Sequence, residues 1–361
     1  MKITFFISSL SGGGAERVVC NLSNYLVKNG HDITVLTVGK TNNEYNLDER
    51  VKVISLEGKN RIRFYPLRVL VKMLRLKKYL KESDADLTAV FLPRSIKSVF
   101  HYKKYIKTPV VVTESVDPHI YDDKKIRWLL KCFTLADGAV FLTEEAEKFY
   151  KDKITLKSSI VIPNAVNPEF LKPRFNGERR KAIVAVGRHT EQKNFPLLIN
   201  AFSEIVKDYP EYTLEIYGKG KLTEDYKKQC EELGIADKVI FPGFCQNIQD
   251  KIYDAGAFVL SSDFEGIPVA LIEAMALGVP CISTDCGGGG ARFLIKDGIN
   301  GILVPVKDKN KLAEAIKKVL SDASFAEKLS ENAAKISQTL SGENIYPMWE
   351  KYFSGIVKNE V

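Results

Sequence analysis

The sequence is poor in the residue types that indicate a disulfide scaffold, a metal site or a membrane span. Its 361 residues contain six cysteines, at positions 20, 132, 230, 245, 281 and 286, and only four histidines. The cysteines form no Cys-x-x-Cys pair and have no histidine at zinc-finger spacing, so we expect reduced thiols, as in a cytoplasmic protein. No apolar run approaches the ~20 residues that cross a bilayer, which limits any predicted membrane contact to the periphery.

Acidic residues are scarce in the N-terminal half. Residues 1–170 contain 28 Lys and Arg against 19 Asp and Glu, whereas the remainder contains 25 against 26. A basic half beside a neutral one favours an anionic partner, such as a membrane surface or a phosphate-bearing acceptor, although solubility alone also accounts for it. Nucleic-acid binding fits the charge too, but the basic half contains no recognised nucleic-acid motif, so we predict no nucleic acid among the partners.

The excess of cations is densest from Lys59 to Lys81, where nine Lys or Arg and no acid are interleaved with apolar residues. Two interpretations stay open. The segment is an ordinary domain helix with a solvated basic edge, or it is a peripheral membrane element at the inner face of the cell membrane. In the second case we expect Arg68, Lys72, Arg75 and Lys78 to lie near anionic lipid.

Strand and helix patterns alternate along the whole chain. Such alternation is typical of parallel strands joined by crossover helices, and the length favours two domains rather than one. The fold class predicted is α/β, with two Rossmann-like doubly wound domains facing across a cleft. We predict an N-terminal domain over 1–168, a C-terminal domain over 169–342 and a final helix over 343–361 that packs back on the first domain. The predicted strands are 2–9, 32–38, 51–56, 87–92, 109–114, 138–143, 159–163, 182–187, 213–217, 238–241, 257–261, 280–284 and 301–305.

The strongest functional signal runs from Ser261 to Gly278. An apolar strand ends near Ser261, a loop follows, and Pro268 opens a helix that Gly278 closes. The helix directs its N-terminal amides towards the edge where a parallel sheet binds its ligand, which suits a diphosphate. Glu265 and Glu273 would repel phosphate, so we expect them to accept hydrogen bonds from sugar hydroxyls; the plain alternative is that both only favour the helix N-terminus.

A second signal runs from Val186 to Pro196 and also follows a predicted strand. Arg188 offers a planar fork for phosphate oxygens, and Lys193 a mobile point charge. Together they can neutralise a leaving diphosphate without a metal, although two surface cations beside a turn is the simpler alternative. A third and weaker signal is the turn after the first strand, from Ser11 to Arg17. Its three glycines allow the backbone to approach a ligand closely, but it is neither a dinucleotide fingerprint nor a P-loop.

These three motifs, in this order, resemble the retaining glycosyltransferases of family 4, also called glycosyl transferases group 1, which have the GT-B fold. The family's pair of glutamates separated by seven residues matches Glu265 and Glu273. The resemblance covers nearly the whole chain and is most specific from Arg188 to Leu303. It implies a transferase that moves a hexose or an N-acetylhexosamine from a nucleotide-diphosphate sugar, with UDP as the default, to a glycan or polyprenyl-diphosphate-linked acceptor in cell-surface polysaccharide synthesis.

The resemblance also assigns residues. Arg188, Lys193 and Glu265 are the predicted catalytic residues, with the two cations on the diphosphate, Glu265 on the transferred sugar and Glu273 on the donor ribose. The donor is predicted to be bound by the C-terminal half and the acceptor by the N-terminal half, whose Gly12, Gly13 and Gly14 are predicted to close over the diphosphate. The further donor-binding residues that it implies are Phe244 and Cys245, whose backbone holds the base, and Gly266, Ile267, Pro268 and Val269.

The segment from Thr113 to Pro118 resembles the Ser-Glu-Arg-Asn-Asp-Pro motif of bacterial surface-polysaccharide members of the family. It supplies the predicted acceptor-binding or sugar-positioning residues Glu114, Ser115, Asp117 and His119. Many relatives carry His or Arg where this sequence has Ser115. His119 is one substitute for that side chain, and a solvated loop histidine is the alternative.

The resemblance implies that the acceptor attacks on the face from which the diphosphate leaves and that the diphosphate takes the acceptor's proton. This agrees with the segments of the predicted cleft, which contain no Ser-His-Asp, no Cys-His and no metal-binding Asp-x-Asp arrangement, so no metal and no cofactor are predicted. Two other functions stay open: a nucleotide-sugar 2-epimerase of the same fold, and a non-catalytic partner subunit at the membrane. The sequence does not specify the base, the sugar, the acceptor, the linkage or the oligomeric state.

Overall fold

The computed structural model describes residues 1–10, 13–39, 46–58 and 62–360. Ser11 and Gly12 of the predicted glycine turn and residues 59–61 of the basic segment lie outside the described residues. The chain divides into two compact units, one of residues 1–165 and 343–361 and the other of residues 166–342.

The first unit contains the strands β1 to β7, whose bounds are Lys2–Ile7, Asp32–Thr37, Lys52–Ser55, Leu87–Phe91, Val110–Glu114, Gly138–Phe141 and Ser159–Val161. Its helices α1 to α5 are Gly14–Lys28, Tyr65–Glu82, Pro93–His101, Asp123–Leu135 and Glu144–Lys151, and the C-terminal helix α14, Gly342–Lys358, also packs here. All pairings are parallel, and the strand order is β3-β2-β1-β4-β5-β6-β7.

The second unit contains the strands β8 to β13, with bounds Arg180–Val186, Thr213–Tyr217, Val239–Gly243, Ala255–Leu260, Cys281–Thr284 and Ile302–Val304. Its helices α6 to α13 are Phe195–Ile205, Thr223–Glu232, Ile248–Ile252, Val269–Ala276, Gly290–Leu294, Lys309–Ser321, Ala323–Ala334 and Ile336–Thr339. The sheet is again all parallel, in the order β10-β9-β8-β11-β12-β13. Every predicted strand is found, because strands covered on both faces are short continuous apolar runs, as in the wholly buried β4 and β11.

In both sheets the order in which strands are added reverses at one point. In the first unit the chain builds outwards from β1 to β3 and then returns to place β4 on the other side of β1; in the second unit β8 and β11 have the same relation. This is the Rossmann arrangement, in which ligands bind beyond the carboxyl ends of the two strands that flank the reversal. The topology therefore selects the loops after β8 and β11 in the second unit.

The two faces of the first sheet are covered by different helices. Phe5 and Phe6 are consecutive in β1 and so point to opposite faces. Phe6 belongs to the cluster that contains buried residues of α2, α3 and α4, such as Leu76 and Leu129. Phe5 instead contacts Phe353 of α14, with ring centroids 6.1 Å apart.

Helix α14 is attached to the first unit by packing and by polar contacts. Trp349 lies 6.0 Å from Phe91 between ring centroids, and the Tyr352 hydroxyl accepts a hydrogen bond from the Ala139 amide at 3.1 Å. The Glu350 carboxylate is 2.8 Å from His31 Nε2 and accepts from Asn29 Nδ2 at 3.0 Å. The C-terminal segment therefore completes the core on the Phe5 face of the sheet.

Helix α2 has two separate apolar faces. Leu76 and Leu80 are buried against the sheet, whereas Leu67, Leu70 and Leu74 are 47%, 55% and 54% exposed on the outside. These three leucines follow one another at three- and four-residue steps and so form one stripe along the helix, which we call the α2 stripe.

Three cations of α2 lie away from the α2 stripe. Arg68 and Lys72 pair with the buried carboxylate of Glu57, and Arg75 donates to the Leu56 and Glu57 carbonyls at 2.9 and 2.6 Å. The expectation that Arg68 and Lys72 lie towards lipid is therefore wrong, because a buried carboxylate holds both side chains. The other two predicted lipid-facing cations, Arg75 and Lys78, are exposed.

The packing of α14 gives a stability prediction. Phe353 is fully buried, so Phe353→Ala should lower the free energy of unfolding of the first unit by about 3–5 kcal/mol through lost burial and the cavity left behind. Urea unfolding followed by circular dichroism measures this loss. Lys351→Ala, at an exposed position of the same helix, is the control and should change stability by no more than about 0.5 kcal/mol. Equal losses in both variants would contradict the role given to α14.

Candidate active site

The two strongest sequence motifs meet at the reversal point of the second sheet. The segment from Gly187 to Asn194 follows β8, and the segment from Ser261 to Pro268 follows β11, its neighbour in the sheet. Because both strands are parallel, both loops emerge at the carboxyl edge. Residues that lie more than 70 positions apart in the sequence are thereby brought into contact.

Lys193 and Glu265 form the central contact between the two loops. Lys193 Nζ lies 2.6 Å from Glu265 Oε1, and the two side chains are only 15% and 10% exposed. The other donors to the carboxylate are the Ser262 hydroxyl, at 2.7 Å, and Gln192 Nε2, at 3.2 Å. The sequence motifs predict that Lys193 and Glu265 contact different parts of a ligand, and the structure shows them paired with each other. An ammonium has three N–H donors, so this pairing leaves donors for an anion.

Further contacts fix the two loops against each other. The Ser261 hydroxyl donates to the Lys193 carbonyl at 2.9 Å, and Asn194 Nδ2 donates to Asp263 Oδ1 at 2.8 Å. Asn194 also begins α6, in the left-handed conformation at φ 42°, where its side chain accepts from the Leu197 amide. Asn tolerates this conformation better than most residues do. No local pattern in the two motifs records the contacts between the loops.

Helix α9 starts at the end of the second loop. Pro268 is its N-cap, and the helix runs over Val269–Ala276, so its amino end lies at the carboxyl edge of the sheet, as predicted for Pro268 and Val269. Glu273 lies on the second turn and is 3% exposed, and Ile267 is 5% exposed. At the other end of the helix Gly278 adopts φ +67° and donates to the Met275 carbonyl at 2.9 Å.

A glycine after β12 allows the loop before α9 to take its position. A Cβ atom built on Gly290 would lie 1.7 Å from the Gly266 carbonyl oxygen, a distance that no side chain permits. The glycine-rich segment after β12 therefore packs directly against the backbone beside Glu265. The Glu265 amide also donates to the Gly287 carbonyl, at 3.3 Å.

Arg188 is exposed, and the buried residue that follows it fixes its loop. His189 is fully buried among aromatic rings, and its Nδ1 lies 2.8 Å from the Thr223 hydroxyl, which itself donates to the Gly220 carbonyl. Because the Thr223 hydroxyl proton is used in that hydrogen bond, the Thr223 oxygen must accept a hydrogen bond that His189 donates from Nδ1. Burial lowers the pKa of His189, which keeps the ring neutral near pH 7. Sequence reasoning missed this residue, since a loop histidine carries no signal of its burial.

The predicted base-binding residues follow β10, two strands away from the reversal point. Gly243 ends this strand at φ +83°, and its carbonyl accepts from the Gly218 amide at 2.9 Å. The Phe244 ring is 64% exposed, and Cys245 is half-buried with a free thiol. Their contact with a base remains a prediction.

In the first unit the structure gives Glu114 a supporting position. Its carboxylate is 1% exposed and accepts from the hydroxyls of Tyr150, at 2.6 Å, and Tyr121, at 3.0 Å. It also accepts from the amides of Ser115 and Val116, at 3.1 and 3.2 Å. We expected Glu114 to face an acceptor, but the side chain points inward and holds the turn that displays the residues after it.

The residues that this turn positions are Asp117 and His119. Asp117 is buried, and its Oδ1 accepts from the His119 amide at 2.9 Å and lies 2.8 Å from His119 Nδ1. The imidazole side chain is 56% exposed and packs edge-on to Phe149. Ser115 is half-buried beside them. Pairing with a carboxylate orients the ring and leaves Nε2 as its outward nitrogen.

Gly13 and Gly14 lie at the start of α1. Gly13 is the N-cap, and a Cβ atom on it would lie 2.1 Å from Glu16 Oε2, so the Glu16 side chain folds over the glycine backbone. In the part of the chain that the structure describes, no three carboxylate, imidazole or thiol groups come together as metal ligands would.

Two family models match the chain. The model described as Glycosyltransferase Family 4 matches residues 12–170, and the one described as Glycosyl transferases group 1 matches residues 167–336. The chain is 28% identical over 362 residues to a Campylobacter jejuni protein named GalNAc-alpha-(1->4)-GalNAc-alpha-(1->3)-diNAcBac-PP-undecaprenol alpha-1,4-N-acetyl-D-galactosaminyltransferase, with 99% of each chain covered.

Two solved structures are similar over nearly the full length. Sucrose-phosphate synthase from Thermosynechococcus elongatus has a TM-score of 0.85 at 19% identity, with 99% of each chain covered. Anabaena HepE, in complex with UDP and glucose, has a TM-score of 0.84 at 18% identity, with 98% of this chain and 100% of HepE covered. At such identities the likeness establishes the fold, and it confirms the predicted class of two Rossmann-like α/β domains.

The buried carboxylate of the first unit gives a pH prediction. Burial raises the pKa of Glu114 to about 6 from its ordinary value of 4.5, despite its four hydrogen-bond donors. The folded protein therefore binds a proton that the unfolded chain releases. This contribution to stability is complete below pH 4.5 and is lost as the pH rises through 6.

Glu114→Gln does not titrate, so the stability of the wild type relative to this variant should fall by about 2 kcal/mol between about pH 4 and pH 7. Urea unfolding at a series of pH values measures the difference. A stability difference that stays constant over this pH range would show that the pKa of the Glu114 carboxyl group is not raised in the folded protein.

Proposed function

The chain belongs to family 4 of the glycosyltransferases, and we propose that it transfers a hexose or an N-acetylhexosamine from a UDP-sugar to a polyprenyl-diphosphate-linked glycan. In this proposal the reaction retains the anomeric configuration and requires no metal ion or other cofactor. The observation that carries it is the junction of the two loops at the reversal point of the second sheet, where Lys193 pairs with Glu265 beside the amino end of α9.

The donor diphosphate fits this junction because three sources of positive potential converge on it. They are the amides at the start of α9, the half-buried ammonium of Lys193 and the exposed guanidinium of Arg188. Lys193 is held by Glu265 before a ligand arrives, so its charge needs no rearrangement when the diphosphate leaves. Stabilisation of a departing anion by prepositioned groups of this kind is a large catalytic effect.

The two carboxylates have separate roles in the proposal. Oε1 of Glu265 accepts hydrogen bonds from Lys193 and Ser262, and Oε2 accepts one from Gln192. Few lone pairs of the carboxylate therefore remain for a ligand, and these point in fixed directions. That geometry suits one hydroxyl of the transferred sugar. Glu273, on the second turn of α9, is assigned to the donor ribose.

The first unit is assigned to the acceptor. His119 is oriented by Asp117 and exposes Nε2, so we assign to it the sugar-positioning role predicted for the position of Ser115. The Campylobacter jejuni relative is named for a diphosphate-linked undecaprenol substrate, which supports an acceptor of that class. The UDP in the HepE complex supports a uridine donor.

The α2 stripe supports peripheral membrane contact at the cytoplasmic face, where a polyprenyl-linked acceptor is found. No helix in the described residues has the length and hydropathy needed to cross a bilayer. Leu67, Leu70 and Leu74 nevertheless expose about half of their surface, in the half of the chain that carries the excess of cations. Apolar residues on a basic surface match an anionic lipid interface.

The first test is transfer itself. The purified protein should convert one UDP-sugar and a polyprenyl-diphosphate glycan into an extended glycan with the donor's anomeric configuration, as read by NMR, and EDTA should leave the rate unchanged. Arg188→Ala, Lys193→Ala and Glu273→Gln should each lower kcat/KM by about 100-fold or more, since each removes a charge that acts on the donor.

The matched control is Lys221→Ala, which removes another lysine from a carboxylate pair, with Glu191, but at a side chain that is 70% exposed. It should retain full activity. Near-normal activity of both Arg188→Ala and Glu273→Gln would refute the site. Epimerisation of the nucleotide sugar without an acceptor would instead identify an epimerase.

The second test concerns the membrane. The double variant Leu70→Glu, Leu74→Glu should bind phosphatidylglycerol vesicles at least about ten-fold more weakly than the wild type in flotation, because two leucines no longer enter the interface. Leu233→Glu, at a 38% exposed leucine of the second unit, is the control and should float like the wild type. Equal flotation of all three proteins would exclude the α2 stripe as the contact.

A further inference from the structure

A cleft of about 390 Å³ opens between α2, α3 and α4, on the Phe6 face of the first sheet. This face is covered by helices, and the cleft lies between them rather than at the carboxyl edge where the predicted substrate residues follow their strands. The proposed function therefore leaves it without a role. Its lining combines apolar side chains, chiefly Met73, Phe100 and Trp128, with the ammonium groups of Lys97 and Lys131 and the imidazole of His101.

The charge of the cleft has one sign. Lys97 and His101 lie one turn apart on α3, Lys131 lies on α4, and all three are exposed. No carboxylate is among the described residues that line the cleft, and neither lysine forms an ion pair within the described part of the chain. Two unneutralised ammonium groups beside an imidazole form a site for an anion, and phosphate is the anion that lysines commonly bind.

The apolar part of the lining makes a free inorganic anion a poor match. Trp128 is half-buried in the cleft, and its indole has an apolar body with one polar N–H, the combination found where lipid meets water. Met73 follows Leu70 by three residues, so the cleft opens along the flank of the α2 stripe. A ligand that fills it presents a negative head group and an apolar chain together.

We propose that the cleft binds one anionic phospholipid of the bilayer. Lys97 and Lys131 hold its phosphate, and its acyl chain lies along Met73 and Trp128 beside the α2 stripe. The inference rests on the proposed membrane contact and extends it, from insertion of apolar side chains to recognition of a lipid head group. Because Lys77 sits 4.8 Å from the Tyr105 ring at the same flank of α2, the surrounding surface is also cationic.

The tryptophan fluorescence of the protein can report on lipid binding at this site. The chain contains two tryptophans; Trp128 lines the cleft, whereas Trp349 belongs to α14, is 3% exposed and packs against Phe91 on the opposite face of the sheet. Phosphatidylglycerol with brominated acyl chains should therefore quench the Trp128 part of the fluorescence and leave the Trp349 part. Brominated phosphatidylcholine should quench much less at equal lipid concentration, because it lacks net charge.

The double variant Lys97→Glu, Lys131→Glu should lose most of the quenching and should require at least about ten-fold more phosphatidylglycerol, since each cation near an anionic surface contributes about five-fold in binding. The charge-matched control is Lys351→Glu, Lys358→Glu, which reverses two exposed lysines of α14. It should be quenched like the wild type. Equal quenching of the cleft variant and the control would overturn the proposal, as would equal quenching by the two lipids.

Two further outcomes separate this inference from others. If inorganic phosphate at millimolar concentration abolishes the quenching while vesicle flotation persists, the cleft is a phosphate site and the lipid assignment is wrong. If Leu70→Glu, Leu74→Glu loses flotation but the cleft variant is still quenched, the membrane contact stands and the lipid site fails. Sugar transfer to a water-soluble acceptor, measured in parallel, should be normal in the cleft variant and reports on the proposed function separately.

Discussion

The candidate active site of this protein depends on the point at which the strand order of its second sheet reverses. The reversal places β8 and β11 side by side, so two loops that are distant in sequence leave the same edge and are held together by the Lys193–Glu265 ion pair. Two close backbone contacts support this junction, one between Gly290 and the Gly266 carbonyl and one between Gly218 and the Gly187 carbonyl. A rigid junction of this kind fits a reaction in which the protein mainly positions charges around a leaving group.

The elements of the fold were predictable because they are encoded locally. Strands covered on both faces are short apolar runs, as β4 and β11 show, and parallel strands follow from helices that separate them. The site was predictable to the level of its motifs, since a strand, a loop and a helix start in that order determine which edge a side chain occupies. Pairings between motifs were not predictable, because no local pattern records that Lys193 meets Glu265.

Buried polar residues were the main source of error, for the same reason. Glu114 looked like a displayed carboxylate, and Arg68 and Lys72 looked like a displayed basic surface. In the structure Glu114 points towards Tyr121 and Tyr150, and the two cations point towards Glu57. Each case depends on a partner that another element supplies. Burial of a charge requires such partners, so a charged residue cannot be assigned to the surface until the packing is known.

The order of synthesis gives the attachment of α14 a further meaning. The first unit is begun by β1, yet Phe5 and Phe91 meet their aromatic partners in α14 only when residues 343–361 arrive, after the whole of the second unit has been made. The second unit is one continuous stretch and can fold on the ribosome as soon as it emerges. Phe5 and Phe91 stay without these partners until α14 has been made, so the second unit can complete its core before the first unit does.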